Sequence, residues 1–134
     1  MQLCILGYNP SLAIFGEPTH ERTDLDDTQR KLPDVSNIKA FIIPAGFGII
    51  MYKGTWHDFP ISCGPPTTVF LINTKEVIEA LSSLESPGPM DCGDVYKVQL
   101  SDHFDFQLKH PDPRPMVRKL GLVSNCDIKY DAGV

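Results

Sequence analysis

No stretch of this sequence approaches the ~18–20 consecutive apolar residues that a membrane-spanning helix needs. The N-terminus, MQLCILGYNP, has neither a basic segment nor a small-residue cleavage site, so no signal peptide is expected. Positive charge is scarce: 12 Lys and Arg stand against 17 Asp and Glu, a net charge of −5. Nucleic acid is therefore not an expected partner, because gripping a polyanion rests on clustered Lys and Arg. The four cysteines (Cys4, Cys63, Cys92 and Cys126) form no C-x-x-C pair, and no Asn-x-Ser/Thr acceptor with a permitted middle residue occurs. Reduced, mostly buried thiols and a cytoplasmic location are the resulting expectation. Nucleotide and nucleophile signatures are missing too: there is no G-x-S-x-G, no P-loop, and no G-x-G-x-x-G opening a helix. His20, His57, His103 and His110 lie far apart, without a His-x-His or His-x₃-His spacing, so no compact metal site is legible.

What the sequence does have is punctuation. Its 134 residues, one domain's worth, carry 12 Pro and 10 Gly. These cut the chain into short pieces, which favours many short strands over long helices. Strands are expected at 2–6, 12–15, 38–43, 47–52, 55–61 and 67–72, with Pro60 placing 55–61 at an edge or bend. The β-branched, apolar run at 67–72 reads as a buried strand. Residues 17–36 are polar and read as a surface loop. One helix is expected over about 74–84, capped by Asn73 with Glu76 three residues on, and burying Val77, Ile78, Leu81 and Leu84. Tyr96, Val98 and Leu100 alternate with polar residues, as do Phe104, Phe106 and Leu108, predicting two further strands. The fold class expected is all-β, an antiparallel barrel or sandwich, with residues 1–108 as a single domain. The Pro-rich segment 109–134 is expected as a tail lying on the body or on a partner chain.

Residues 44–60, PAGFGIIMYKGTWHDFP, hold the densest set of chemically useful side chains: Tyr52, Lys53, Trp56, His57 and Asp58 within seven positions. If 55–59 is extended, Thr55, His57 and Phe59 share one face, and Trp56 and Asp58 the other. An inward His57 with Tyr52 makes an acid/base pair. The plainer alternative is a packed or surface histidine. Convergence of His57, His103 and a carboxylate on a divalent metal is a further alternative.

The stretch 38–60, IKAFIIPAGFGIIMYKGTWHDFP, resembles the core signature of the ureidoglycolate lyase family, formerly called ureidoglycolate hydrolases. Ala40, Phe41 and Ile42 match that family's strand, Gly48 its turn glycine, and Gly54, Trp56 and His57 its G-x-W-H core. Downstream, VFLIN at 69–73 is similar to the family's "DFLTID" strand, and DCGDV at 91–95 to its "NCDV" segment. The likeness spans about residues 38–108. Tyr52 and Asp58 stand where the family carries histidines, and the chain is short at the front.

The resemblance implies a cupin-like jelly-roll barrel that dimerises and acts on a small carboxylate substrate. The family splits ureidoglycolate into glyoxylate and urea, a hemiaminal breakdown needing one base and one acid. It calls for no cofactor. Carried over, His57 becomes the proton-transfer residue, Tyr52 a proton donor, Trp56 a pocket wall and Lys53 a carboxylate anchor. Lys53 reads equally as an exposed turn lysine. Asp58 either orients His57 or faces solvent. An isomerase, cyclase or lyase acting on a larger apolar molecule is one rival, with Phe47, Ile49, Met51 and Trp56 as its pocket. A non-catalytic ligand-binding barrel is the other. A polar lumen enclosing His57 and Tyr52 favours an enzyme; their exposure favours the binding barrel. Missing leading strands would leave open sheet edges, so a homodimer is expected.

Overall fold

The computed structural model describes residues 2–85, 88–92 and 95–105, together with Pro115 and Lys119. Short strands dominate, in chain order β1 (Gln2–Leu6), β2 (Ser11–Gly16), β3 (Lys39–Ile43), β4 (Gly48–Met51), β5 (Trp56–His57), β6 (Ile61–Ser62) and β7 (Val69–Ile72). After them come α1 (Lys75–Ser82), β8 (Met90–Cys92) and β9 (Val95–Lys97). All pairings are antiparallel. β4, β1 and β7 form one sheet; β3 and β5 flank β2 in a second, where β6 also pairs with β2; β8 and β9 form a third. Among the described residues the strands form three small antiparallel sheets beside one short helix, the mostly-β architecture expected from the sequence, with no closed barrel.

Two of the sheets meet across a core. Cys4 on β1 and Met51 on β4 are buried, with Ile49, Val69 and Leu71 from their own sheet and Phe15 and Ile43 from β2 and β3 against them. Registers Cys4↔Ile49 and Cys4↔Leu71 put these side chains on one face. Burial pushes the Cys4 thiol pKa up, as expected of a packing cysteine. A second cluster joins Leu12 of β2 and Ile42 of β3, on the alternate residues of those strands, with Ile61 of β6 and Cys63 just after it.

Ser11, fully buried on β2, finds no hydrogen-bond partner for its hydroxyl oxygen among the described residues. A buried hydroxyl that bonds nothing costs more than a methyl group in the same space. Ser11→Ala is therefore expected to leave stability unchanged or raise it by about 1 kcal/mol. A loss of stability in urea unfolding would contradict this.

Several local expectations are corrected. Thr74, not Asn73, caps α1: its extended backbone (φ −71°, ψ 159°) brings Oγ1 to accept from the Val77 amide at 3.4 Å. The helix buries Ala80, while Ile78 and Leu81, expected on its buried face, are exposed. The stretch 55–61 splits at Pro60 into β5 and β6. Beyond β9 the alternation of Val98 and Leu100 yields no strand; Leu100–Asp102 is a 3₁₀ turn closed by the His103 amide on the Leu100 carbonyl. β7 is not buried on both sides, since Phe70 and Ile72 are 60% and 49% exposed. Of the strand expected at Phe104–Leu108, Phe104 instead closes its amide on the Leu100 carbonyl at 3.0 Å, and the part beyond Asp105, like most of the 109–134 tail, lies outside the described residues. No helix among the described residues is long and apolar enough to cross a membrane.

Candidate functional site

The 52–57 stretch is a tight turn feeding a two-residue strand. Thr55 donates its amide to the Tyr52 carbonyl at 3.2 Å, leaving Lys53 and Gly54 at the tip. Gly54 has φ +80°, the left-handed value that the third position of a type II turn requires. It has a second reason to be glycine. A β-carbon there would stand 2.1 Å from Cε1 and 2.6 Å from Nδ1 of His20, so the His20 ring occupies the space a side chain would fill.

His20 reaches the turn from a second turn, Thr19–Arg22, closed by the Arg22 amide on the Thr19 carbonyl at 3.1 Å. Thr19 is buried and pins the two turns together. Its hydroxyl donates to the Arg30 carbonyl at 3.0 Å and accepts from the Trp56 indole at 2.8 Å. Trp56 also meets Tyr96 of β9 edge-on, with ring centroids 6.0 Å apart, which ties the small third sheet to β5. Edge-to-face contact is the arrangement that the ring quadrupoles favour.

His57 sits where the two larger sheets approach each other. It pairs with Phe15, whose ring enters the intersheet core. Nδ1 of His57 lies 2.8 Å from the Thr55 carbonyl and Nε2 lies 3.0 Å from Oε1 of Gln2 on β1. Both ring nitrogens are thus engaged, and the ring bridges β5 to β1 at the solvent boundary. A base needs an open lone pair, so proton abstraction by His57 requires the Gln2 contact to part.

The remaining residues that the sequence singles out divide. Tyr52 is 73% exposed, and Lys53 and Asp58 are exposed as well. Asp58 accepts the amide of Phe59 at 2.7 Å, a local turn contact that leaves it facing solvent rather than His57. Met51 is buried against Cys4, in the core and not at the turn. Trp56 is tied to the His20 turn through Thr19, and Gly54 lies against the His20 ring, while His57 turns to Gln2 of β1 and Lys53 stands exposed at the tip. His20 is not expected there from the sequence. The only sequence signal for it is Gly54, whose missing side chain makes room for a partner that spacing does not name. Among the described residues no group of three His, Cys, Asp or Glu side chains is arranged to hold a metal ion.

The segment delivering His20 is fixed by charged pairs. Arg22 hydrogen-bonds both carboxylate oxygens of Asp24 and lies 3.9 Å from Asp34. The Arg22 hydrogen bond holds the Asp24 carboxyl below its usual range. Hydrogen bonds from Ser36 and Asn37 do the same for Asp34. A carboxyl depressed in the folded state contributes stability above its unfolded pKa of about 3.9 and loses that contribution as pH falls through the folded value. Residues 19–37 are therefore expected to loosen below about pH 4, before the sheets do. Faster amide hydrogen exchange confined to that segment would show it; uniform protection across the chain would contradict it.

Compared with known proteins, the chain matches no family model, no curated protein and no solved structure.

Proposed function

We propose that this protein is a carbon–nitrogen lyase of the ureidoglycolate lyase type, acting on ureidoglycolate or a closely related small carboxylate without an obligatory cofactor. The observation that carries the reading is the build of the G-x-W-H turn. Gly54 adopts a backbone conformation that favours glycine, Trp56 is tied to a buried hydroxyl, and His57 is held at both ring nitrogens. Those are the residues on which the family resemblance rests. The reaction breaks a hemiaminal: the hydroxyl proton leaves, the C–N bond gives its electron pair to nitrogen, a carbonyl forms, and nitrogen takes up a proton. Nothing is oxidised or reduced, and general acid–base catalysis suffices. Lys53, at the exposed tip, is the anchor for the substrate carboxylate, and Trp56 walls the apolar side. Met51 supports the turn from the core beneath it.

The same proposal carries the finer fold, a cupin-like jelly roll, and a cytoplasmic homodimer. Support for the dimer comes from the outer face of the β4–β1–β7 sheet. Registers Leu3↔Ile50 and Leu3↔Ile72 line up an uncharged row, and among the described residues β4 and β7 each pair on one side only. Open edges and apolar faces are what a second copy covers.

A second reading, a non-catalytic binding module, is favoured by one observation: Tyr52 and His57 are solvent-exposed in the single chain. Release of glyoxylate and urea from ureidoglycolate separates the two. Turnover that survives a chelator supports the lyase. A folded protein that binds glyoxylate without turning over ureidoglycolate supports the binding module and overturns the lyase.

A further inference from the structure

Exposed apolar surface is not confined to the outer sheet face. On α1, Ile78 and Leu81 stand three residues apart, about one turn, and are 52% and 41% exposed. They make a short apolar stripe on the surface of the helix. We propose that this stripe is the docking surface for the chain's own basic segment 114–120, seated by Met116, Val117 and Leu120 and oriented by ion pairs with the acidic surface around α1. The inference goes beyond the lyase reading and stands or falls without it.

Charge selects the occupant. Residues 75–105 carry seven Asp and Glu against Lys75 and Lys97, whereas residues 106–119 carry Lys109, Arg114, Arg118 and Lys119 against Asp112 alone. An acidic block is followed directly by a basic one. Within the acidic block Glu79 pairs with Lys75 at 3.2 Å, while Glu76, Glu85, Asp91, Asp102 and Asp105 have no ion pair among the described residues. The last turn of α1 also carries no basic residue, so the negative end of its dipole lacks a cation.

Pattern and reach agree with charge. Pro115 and Lys119 have helical backbone and exposed side chains. At helical spacing these two share one side, and Met116, Val117 and Leu120 fall on the other. The described chain leaves from the neighbourhood of α1: β9 lies against that helix, and the 3₁₀ turn Leu100–Asp102 begins three residues after β9 ends. Residues 106–113 span up to roughly 26 Å when extended, and the eight residues of α1 are about 12 Å long, so the segment reaches back along the helix. Burial of the apolar side chains supplies the hold; the ion pairs, screened at the surface, set the direction.

The test is zero-length carbodiimide cross-linking of carboxylates to lysine amines in the full chain. It is run on an equal mixture of unlabelled and isotope-labelled protein and read by mass spectrometry. Lys75–Glu79, paired within α1, is the internal control. Cross-links from Lys109 or Lys119 to the carboxylates of residues 76–85, within a single label, are expected. They are expected to fall by about tenfold in Leu120→Gln and in Ile78→Gln, which change no charge. Cross-links joining the two labels would overturn the assignment in favour of a second copy's segment. Cross-links only to other carboxylates, or none beyond the control, would overturn docking on α1, and undiminished cross-links in both variants would overturn the apolar stripe. If a variant loses the control cross-link, its helix is no longer intact, and the wild-type map and the other variant decide.

Discussion

Gly54→Ala is expected to lower stability by about 1–3 kcal/mol and to expel His20 from the turn, because two independent penalties meet at one atom. The backbone at Gly54 has φ +80°, which an L side chain adopts only under strain. The added methyl would also stand 2.1 Å from a carbon of the His20 ring, inside any tolerable contact. The ring is the softer of the two and moves away, breaking its approach to Glu21. Chemical denaturation reads the first effect and the His20 ring resonances the second. Wild-type stability with unshifted His20 resonances would mean that the turn and its histidine are not coupled as described.

Trp56 gives the second large effect, and a pair of substitutions separates its two roles. Trp56→Ala removes both the indole's contact with Tyr96 and its hydrogen bond to Thr19, and is expected to cost about 3 kcal/mol, at the low end for a large aromatic because the ring is only half-buried. Trp56→Phe keeps an aromatic against Tyr96 but leaves the buried Thr19 hydroxyl without its donor, a loss of about 1–2 kcal/mol. The difference between the two variants measures the packing, and the Phe variant alone measures the bond. Equal losses would show that the ring contact contributes nothing and that the third sheet is not held through Trp56.

Much of this architecture is written in local punctuation. Gly7, Pro10, Pro44, Gly46, Gly54 and Pro60 each sit between strands, because glycine and proline act on the residues beside them regardless of the rest of the fold. The break between β5 and β6 follows from Pro60 for that reason. Faces are harder to read. The run Val69–Ile72 is apolar throughout, so no alternation tells which side is covered; the structure covers Val69 and Leu71 and leaves Phe70 and Ile72 outward. The helix cap moves by one residue because Asn73 and Thr74 are both competent, and only the backbone angles decide which oxygen reaches the third amide. Closure of a barrel is a property of all strands together, and no single segment encodes it. The site is legible where it is contiguous, at Lys53, Trp56 and His57. It is illegible where it depends on a turn more than thirty residues upstream, since nothing at His20 announces the glycine it will cover.

The proposed hemiaminal cleavage is tested most directly by glyoxylate and urea release from ureidoglycolate by the wild type and by His57→Ala, with folding of both verified by circular dichroism. Turnover in the wild type is expected to persist after chelation and to fall by about 100-fold or more in the variant. Equal turnover in the two proteins, or none in a correctly folded wild type, would contradict it.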